Sequence, residues 1–189
     1  DLDAEIAGGR LLLNTSGNAT YDADEKDTSS SAGIKTDGNV IISGGTHTLK
    51  STGTGGKGIN ADGEIHVSGG ETTVTTTGGK YYYSQSLTSS PKGVKTDGNI
   101  TVSGGKLNIS VTGVSDGSEG LESKATLTVT GGEVYSYAYD DAINAASAIN
   151  ISGGKVYAYA SNNDGIDSNG SLVISGGLVL SLIHISEPT

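Results

Sequence analysis

The sequence predicts an all-β chain wound as a right-handed parallel β-helix, a solenoid of about seven rungs. Three observations predict it. A line of 13 residues recurs along the chain, a glycine doublet closes each copy, and the composition suits thin β layers better than a thick core. The line reads "GIKTDGNVIISGG" from Gly33, "GINADGEIHVSGG" from Gly58, "GVKTDGNITVSGG" from Gly93 and "GIDSNGSLVISGG" from Gly165. Each copy alternates apolar and polar residues, the period of a half-buried strand.

The rungs are counted by the doublet. Its first glycine falls at Gly8, Gly44, Gly69, Gly104, Gly131, Gly153 and Gly176, in steps of 36, 25, 35, 27, 22 and 23 residues. The 22- and 23-residue steps define the basic coil. The two longest steps carry extra residues at one place, between the strand after the doublet and the next "G-I-x", so two long loops emerge at one corner of the stack. Asp-Gly and Gly-Gly are read as supplying the positive φ angles of the turns between strands.

Alternation assigns the core. Ile34, Ile59, Val94, Leu121, Ile143 and Ile166 form one inward column, and Ile42, Val67, Val102, Val129, Ile151 and Ile174 another. The residue after the doublet reads Glu71, Lys106, Glu133 and Lys155 on four consecutive rungs, so opposite charges become neighbours in this register and in no slipped one. Coils of this length are too long for a left-handed hexapeptide helix, and parallel crossovers are right-handed by default. "GGKGIN" at Gly55 matches a calcium-binding nonapeptide roll only in isolation, since nothing recurs at nine residues.

Composition excludes several functions. The 189 residues include 31 Gly and nine Tyr but no Cys, Met, Phe or Trp, with a net charge of −10. That acidity argues against nucleic acid as a partner. No run is long and apolar enough for membrane insertion, and there are no cysteines for disulfides. Residues 1–179 are read as a single β-helix domain, a fragment truncated at both ends. Residues 180–189, "LSLIHISEPT", leave the repeat and resemble the translation of a transposase adapter used in sequencing libraries, so they are read as a non-native tail. A genuine capping strand is the other reading, because "VLSLIHIS" also alternates.

The repeated "G-I-K-T-D-G-N" lines at Gly33 and Gly93, with "DDAIN" at Asp140 and "NDGID" at Asn163, resemble bacterial secreted carbohydrate-binding β-helix proteins. The resemblance runs from Ile6 to Val179. It implies a pectate-lyase-like fold, a secreted or cell-surface location, and binding of calcium and of an acidic plant polysaccharide such as polygalacturonate or pectin, without lyase activity.

Candidate ligand contacts can be read beside that resemblance. Tyr135 and Tyr137 on one rung and Tyr157 and Tyr159 on the next are outward by alternation, and aromatic rings can stack on sugars. A tyrosine ladder that only stabilises the sheet is the competing reading. Lys35 and Lys95 share a column two rungs apart and suit a carboxylate ligand. Tyr81, Tyr82 and Tyr83 lie in one inserted loop, to wall a ligand groove or tuck against the helix flank. The other loop carries Asp22, Asp24, Glu25 and Asp27, whose spacing fits no complete EF-hand. His47, His66 and His184 show no zinc spacing.

The calcium candidates flank the "G-I-x" strand. Before the glycine position stand Glu119, Asp141 and Asp164, and two residues after it Glu122, Asn144 and Asp167, with Asp140 and Asn163 adjacent. Stacked like charges repel unless water or a cation separates them, and calcium takes such oxygen ligands. The first of those columns holds Lys57 and Lys92 on earlier rungs. Three functions remain open: a non-catalytic, calcium-assisted carbohydrate-binding module; a calcium-dependent polysaccharide lyase using Lys35, Lys95 or Lys124 as base; and a structural adhesin-type or ice-binding solenoid. Thr73, Thr75 and Thr77 begin the threonine face the last would need, but Lys50 and Asn108 interrupt it.

Overall fold

A computed structural model describes residues 2–183 and has the expected architecture, three parallel sheets stacked rung on rung. The first sheet runs Ala4–Ile6, Val40–Ile42, Ile65–Val67, Ile100–Val102, Thr126–Val129, Ala148–Ile151 and Ser171–Ile174. The second runs Arg10–Thr15, Thr46–Ser51, Glu71–Thr76, Lys106–Val111, Glu133–Ala138, Lys155–Ala160 and Leu178–Ile183. The third runs Ala32–Thr36, Lys57–Ala61, Lys92–Thr96, Glu119–Ser123, Ile143–Ala145 and Ile166–Ser168. Among the described residues there is no helix, and so none that could cross a membrane.

Both inward columns pair in the expected register, Ile59 with Val94 and Val94 with Leu121 in the third sheet, Val67 with Val102 and Val102 with Val129 in the first. Leu49, Val74, Leu107, Val134 and Val156 close the core from the second sheet, so aliphatic side chains of three sheets meet along one axis. Their shape suits it: each layer is one strand spacing, about 4.8 Å, thick, and branched aliphatic side chains fill it. Outside, Glu71 lies 3.4 Å from Lys106 and Glu133 lies 2.7 Å from Lys155, the alternation expected of that column.

The glycines divide the work differently from the expectation. The second glycine of each doublet is left-handed, as at Gly70 (φ 75°) and Gly105 (φ 71°). The first is needed for room, because a Cβ on Gly104 would collide with the carbonyl oxygen of Ser68 on the rung before. The Asp-Gly turns are a correction. Gly63 and Gly98 are not left-handed, and a Cβ there would strike the Gly38 and Gly63 carbonyls respectively. Close stacking of turn on turn requires glycine at these positions, rather than a positive φ.

Leu180 to Ile183 keep pairing with Tyr157 to Ala160, so the seventh strand carries the ladder into the stretch expected to leave the pattern. Its period-2 alternation is what the ladder needs. The remainder of that stretch, with His184, lies outside the described residues.

Candidate functional site

Both insertions leave between the second sheet and the third, and both fold as antiparallel hairpins. Thr20–Asp22 pairs with Asp27–Ser29, and Tyr81–Tyr82 with Thr88–Ser89. The hairpins are tied to one another: Tyr21 and Tyr83 stack at 4.0 Å and 7°, and the Ser30 and Ser89 hydroxyls are 2.9 Å apart. Tyr83 thus joins the two loops, yet it and Tyr82 both stay largely exposed, and neither lines the cleft beside the hairpins. Together the hairpins raise a wall beside the outward face of the third sheet, enclosing this cleft of about 810 Å³.

The floor of that cleft is charged. One column reads Lys57, Lys92, Glu119 on successive rungs, and another reads Lys35, Asn60, Lys95, Glu122, Asn144, Asp167. These two columns are thus cationic on their early rungs and anionic on their later ones, while the cleft as a whole is lined by seven carboxylates, Asp37, Asp62 and Asp97 among them, and five lysines. Where the halves meet they pair, Lys92 Nζ lying 2.8 Å from Glu119 and 3.1 Å from Glu122. Lys124 also pairs with Glu122, and Lys95 reaches Asp97 at 2.5 Å. Burial would raise Glu122, but Lys92 and Lys124 outweigh it and hold the carboxyl below its usual range. Glu119 is pushed up to about 7 by burial, with Glu122 and Asp141 adding to the rise and Lys92 opposing it.

Lys57 has no carboxylate within ion-pair distance among the described residues. Its amine donates to the hydroxyls of Ser30 and Ser89, the latter at 3.2 Å. Burial, with Lys95 and Lys92 nearby, lowers the amine to about 7. Among the described residues Lys35 likewise reaches only a hydroxyl, Ser29 at 2.9 Å.

Of the expected calcium ligands, Glu119, Asp140 and Asp141 come together, each with a carboxylate oxygen within 4.8 Å of the others. That donor set, hard oxygens converging from two rungs, fits calcium. Around it Gly117 N donates to Asp140 at 2.5 Å, and the Asp164 amide donates to Asp141 at 3.1 Å. Asn144 donates to Asp141 at 3.2 Å and to Asp167 at 3.0 Å. Glu122 is turned to the lysines, while Asn163 and Asp164 are exposed.

The four tyrosines lie on another flank, the second sheet. Tyr135 stacks on Tyr157 with centroids 4.7 Å apart and planes 4° apart, and Tyr137 on Tyr159 at 5.4 Å and 26°. The rings face each other along the solenoid axis. Lys106 lies 5.5 Å from the free side of Tyr135, and Leu180 is the register neighbour of Tyr157. Between the columns runs a slot of about 290 Å³. What the flank presents outward is ring edges and hydroxyls, since stacking turns the faces inward on one another.

Lys57, Lys92 and Asn60 were missed as cleft residues. Their columns were legible, but the hairpin hydroxyls of Ser30 and Ser89 that close over Lys57 were not.

Comparison with family models finds one, described as carbohydrate-binding domain-containing protein, that matches residues 1–80, 51–116 and 77–165. These overlapping spans run together over most of the chain. Comparison with curated proteins and with solved structures yields no match.

Proposed function

The chain belongs to the carbohydrate-binding domain-containing family, and on that premise we propose that it holds an acidic polysaccharide of the polygalacturonate or pectin type in the cleft between hairpins and third sheet, without cleaving it. The observation that carries this reading is the cationic half of the floor, where Lys35 and Lys57 lack any carboxylate partner among the described residues. Such a surface discriminates in favour of anions, and its hydroxyls and amides suit a sugar. Calcium at Glu119, Asp140 and Asp141 would add a second grip, bridging protein carboxylates to a uronate. The tyrosine flank, with Tyr135, Tyr137, Tyr157 and Tyr159, would add edge and hydroxyl contacts for a chain long enough to reach it. A polysaccharide ligand of this kind suits a secreted or cell-surface bacterial protein.

Affinity electrophoresis tests the reading. Gels containing polygalacturonate should retard the protein, more with calcium than with chelator, and gels containing the fully methyl-esterified polymer should not. Equal mobility in all gels would overturn it.

One observation favours a lyase instead. Lys57 is an amine lowered to about 7 in the cleft, the kind of base that could take the C5 proton of a uronate while the C4–O bond breaks, a C4–C5 double bond forms and the departing oxygen takes a proton from water. Lys95 and Lys124 are held by Asp97 and Glu122 and are poorer candidates. Incubation with polygalacturonate and calcium should give no rise in ultraviolet absorbance from unsaturated ends; a rise would replace the binding-only reading.

A further inference from the structure

Two groups in the cleft are buried without adequate partners. Lys57 is 7% exposed, and an ammonium there has three protons but only two hydroxyl acceptors among the described residues. Asn60, three residues on, is 8% exposed, and its side chain makes no hydrogen bond among them; its Oδ1 is wholly buried. Both line the cleft. Buried polar groups are normally satisfied, and a buried cation without a counter-charge is costlier still. These two lie on one strand, three residues apart.

Their surroundings say what is missing. Lys35 and Lys95 flank Asn60 in its own column, and Lys92 adjoins Lys57. Glu122, the carboxylate that bears on Lys57, is itself paired with Lys92 and Lys124. The first hairpin offers Ser30 and the second Ser89, which are neutral. Further carboxylates line the same cleft, Asp27, Asp37 and Asp62 among them, but none is within ion-pair distance of Lys57 or Lys35 among the described residues. What is unmatched is therefore the positive charge of these two amines, beside an amide that lacks a hydroxyl or carbonyl partner.

We infer that Lys57, Lys35 and Asn60 form a calcium-independent subsite for a single uronic acid residue, its carboxylate on the two amines and a ring hydroxyl on the Asn60 amide. This deepens the function proposed above and rests on it. The subsite is separate from the acidic cluster, two rungs or about 10 Å further along the stack, so the molecule reads the same acidic glycan twice. One reading is by direct charge, the other through a cation.

Titration calorimetry with trigalacturonate, in chelator, tests the subsite on the parent and on Lys57→Met and Asn60→Leu. Parent binding should persist without calcium, fall at least about tenfold in Lys57→Met, the scale of a lost charge-assisted hydrogen bond, and fall several-fold in Asn60→Leu. Neutral trigalactose should not bind. Thermal melting of both variants checks that they fold, and Lys57→Met removes a buried charge and should melt no lower than the parent. If the parent binds trigalacturonate in chelator and both folded variants bind it equally well, the subsite is wrong while the acidic-glycan reading stands. If binding appears only with calcium, the subsite is also wrong. If no acidic glycan binds under either condition, both readings fall together.

Discussion

Lys57 and Lys92 are register partners on neighbouring rungs and both are buried, yet among the described residues Lys92 reaches two carboxylates and Lys57 none. The difference follows from the next rung. Lys92 stacks on Glu119, whereas Lys57 has Ala32 on its other side, beneath the hydroxyls of the two hairpins. The same column therefore supplies a satisfied ion pair and an unsatisfied cation about 5 Å apart.

Stability should depend on pH through Lys57. Its amine falls from 10.5 unfolded to about 7 folded, so between those values the unfolded chain binds the extra proton. Stability then rises with pH across that window, by at most about 1.4 kcal/mol per pH unit, and the penalty is fully present below about pH 7. Urea unfolding at intervals from pH 6 to 10, taken as round settings about that window, should show a slope in the parent that Lys57→Met flattens. An unchanged slope would place the titration elsewhere.

Lys92 holds two carboxylates that would otherwise face each other. Lys92→Met should destabilise by about 3 kcal/mol, the scale of one partner lost from a buried pair, and adding Glu119→Gln should restore part of it. A double-mutant cycle in urea measures the coupling; additive losses would show that the pair does not act as one unit.

Calcium should raise the melting temperature if the cluster binds it. At about one hundred times its dissociation constant, the gain is about 2.7 kcal/mol. Asp140→Ala with Asp141→Ala should abolish that gain, and if the gain persists in the double variant the ion binds elsewhere.

The doublet makes a paired test. Gly104→Ala drives a Cβ into the Ser68 carbonyl and should cost about 2 kcal/mol or more, while Gly8→Ala, with nothing within 4 Å, should cost far less. Thermal melts compare them directly, and equal losses would show that stack spacing is not what the first glycine protects.

Much of this molecule was legible without coordinates, because a stacked fold repeats its constraints in sequence. The period of the doublets, the inward columns through Ile59 and Ile42 and the alternating Glu71, Lys106, Glu133 and Lys155 determine rung count, register and core, each side chain lying over its counterpart one strand spacing away. The positions of both insertions were legible too, as departures from that period. What lies at long range was not. Alternation places the tyrosines outward but does not say that their rings turn face to face along the axis. Composition shows two polar loops but not that Tyr21 meets Tyr83 and lays the hairpins together over the third sheet. That fold-over sets the Ser30 and Ser89 hydroxyls over Lys57 on its outward strand position, where desolvation, which depends on what covers a side chain rather than on its neighbours in sequence, changes its chemistry.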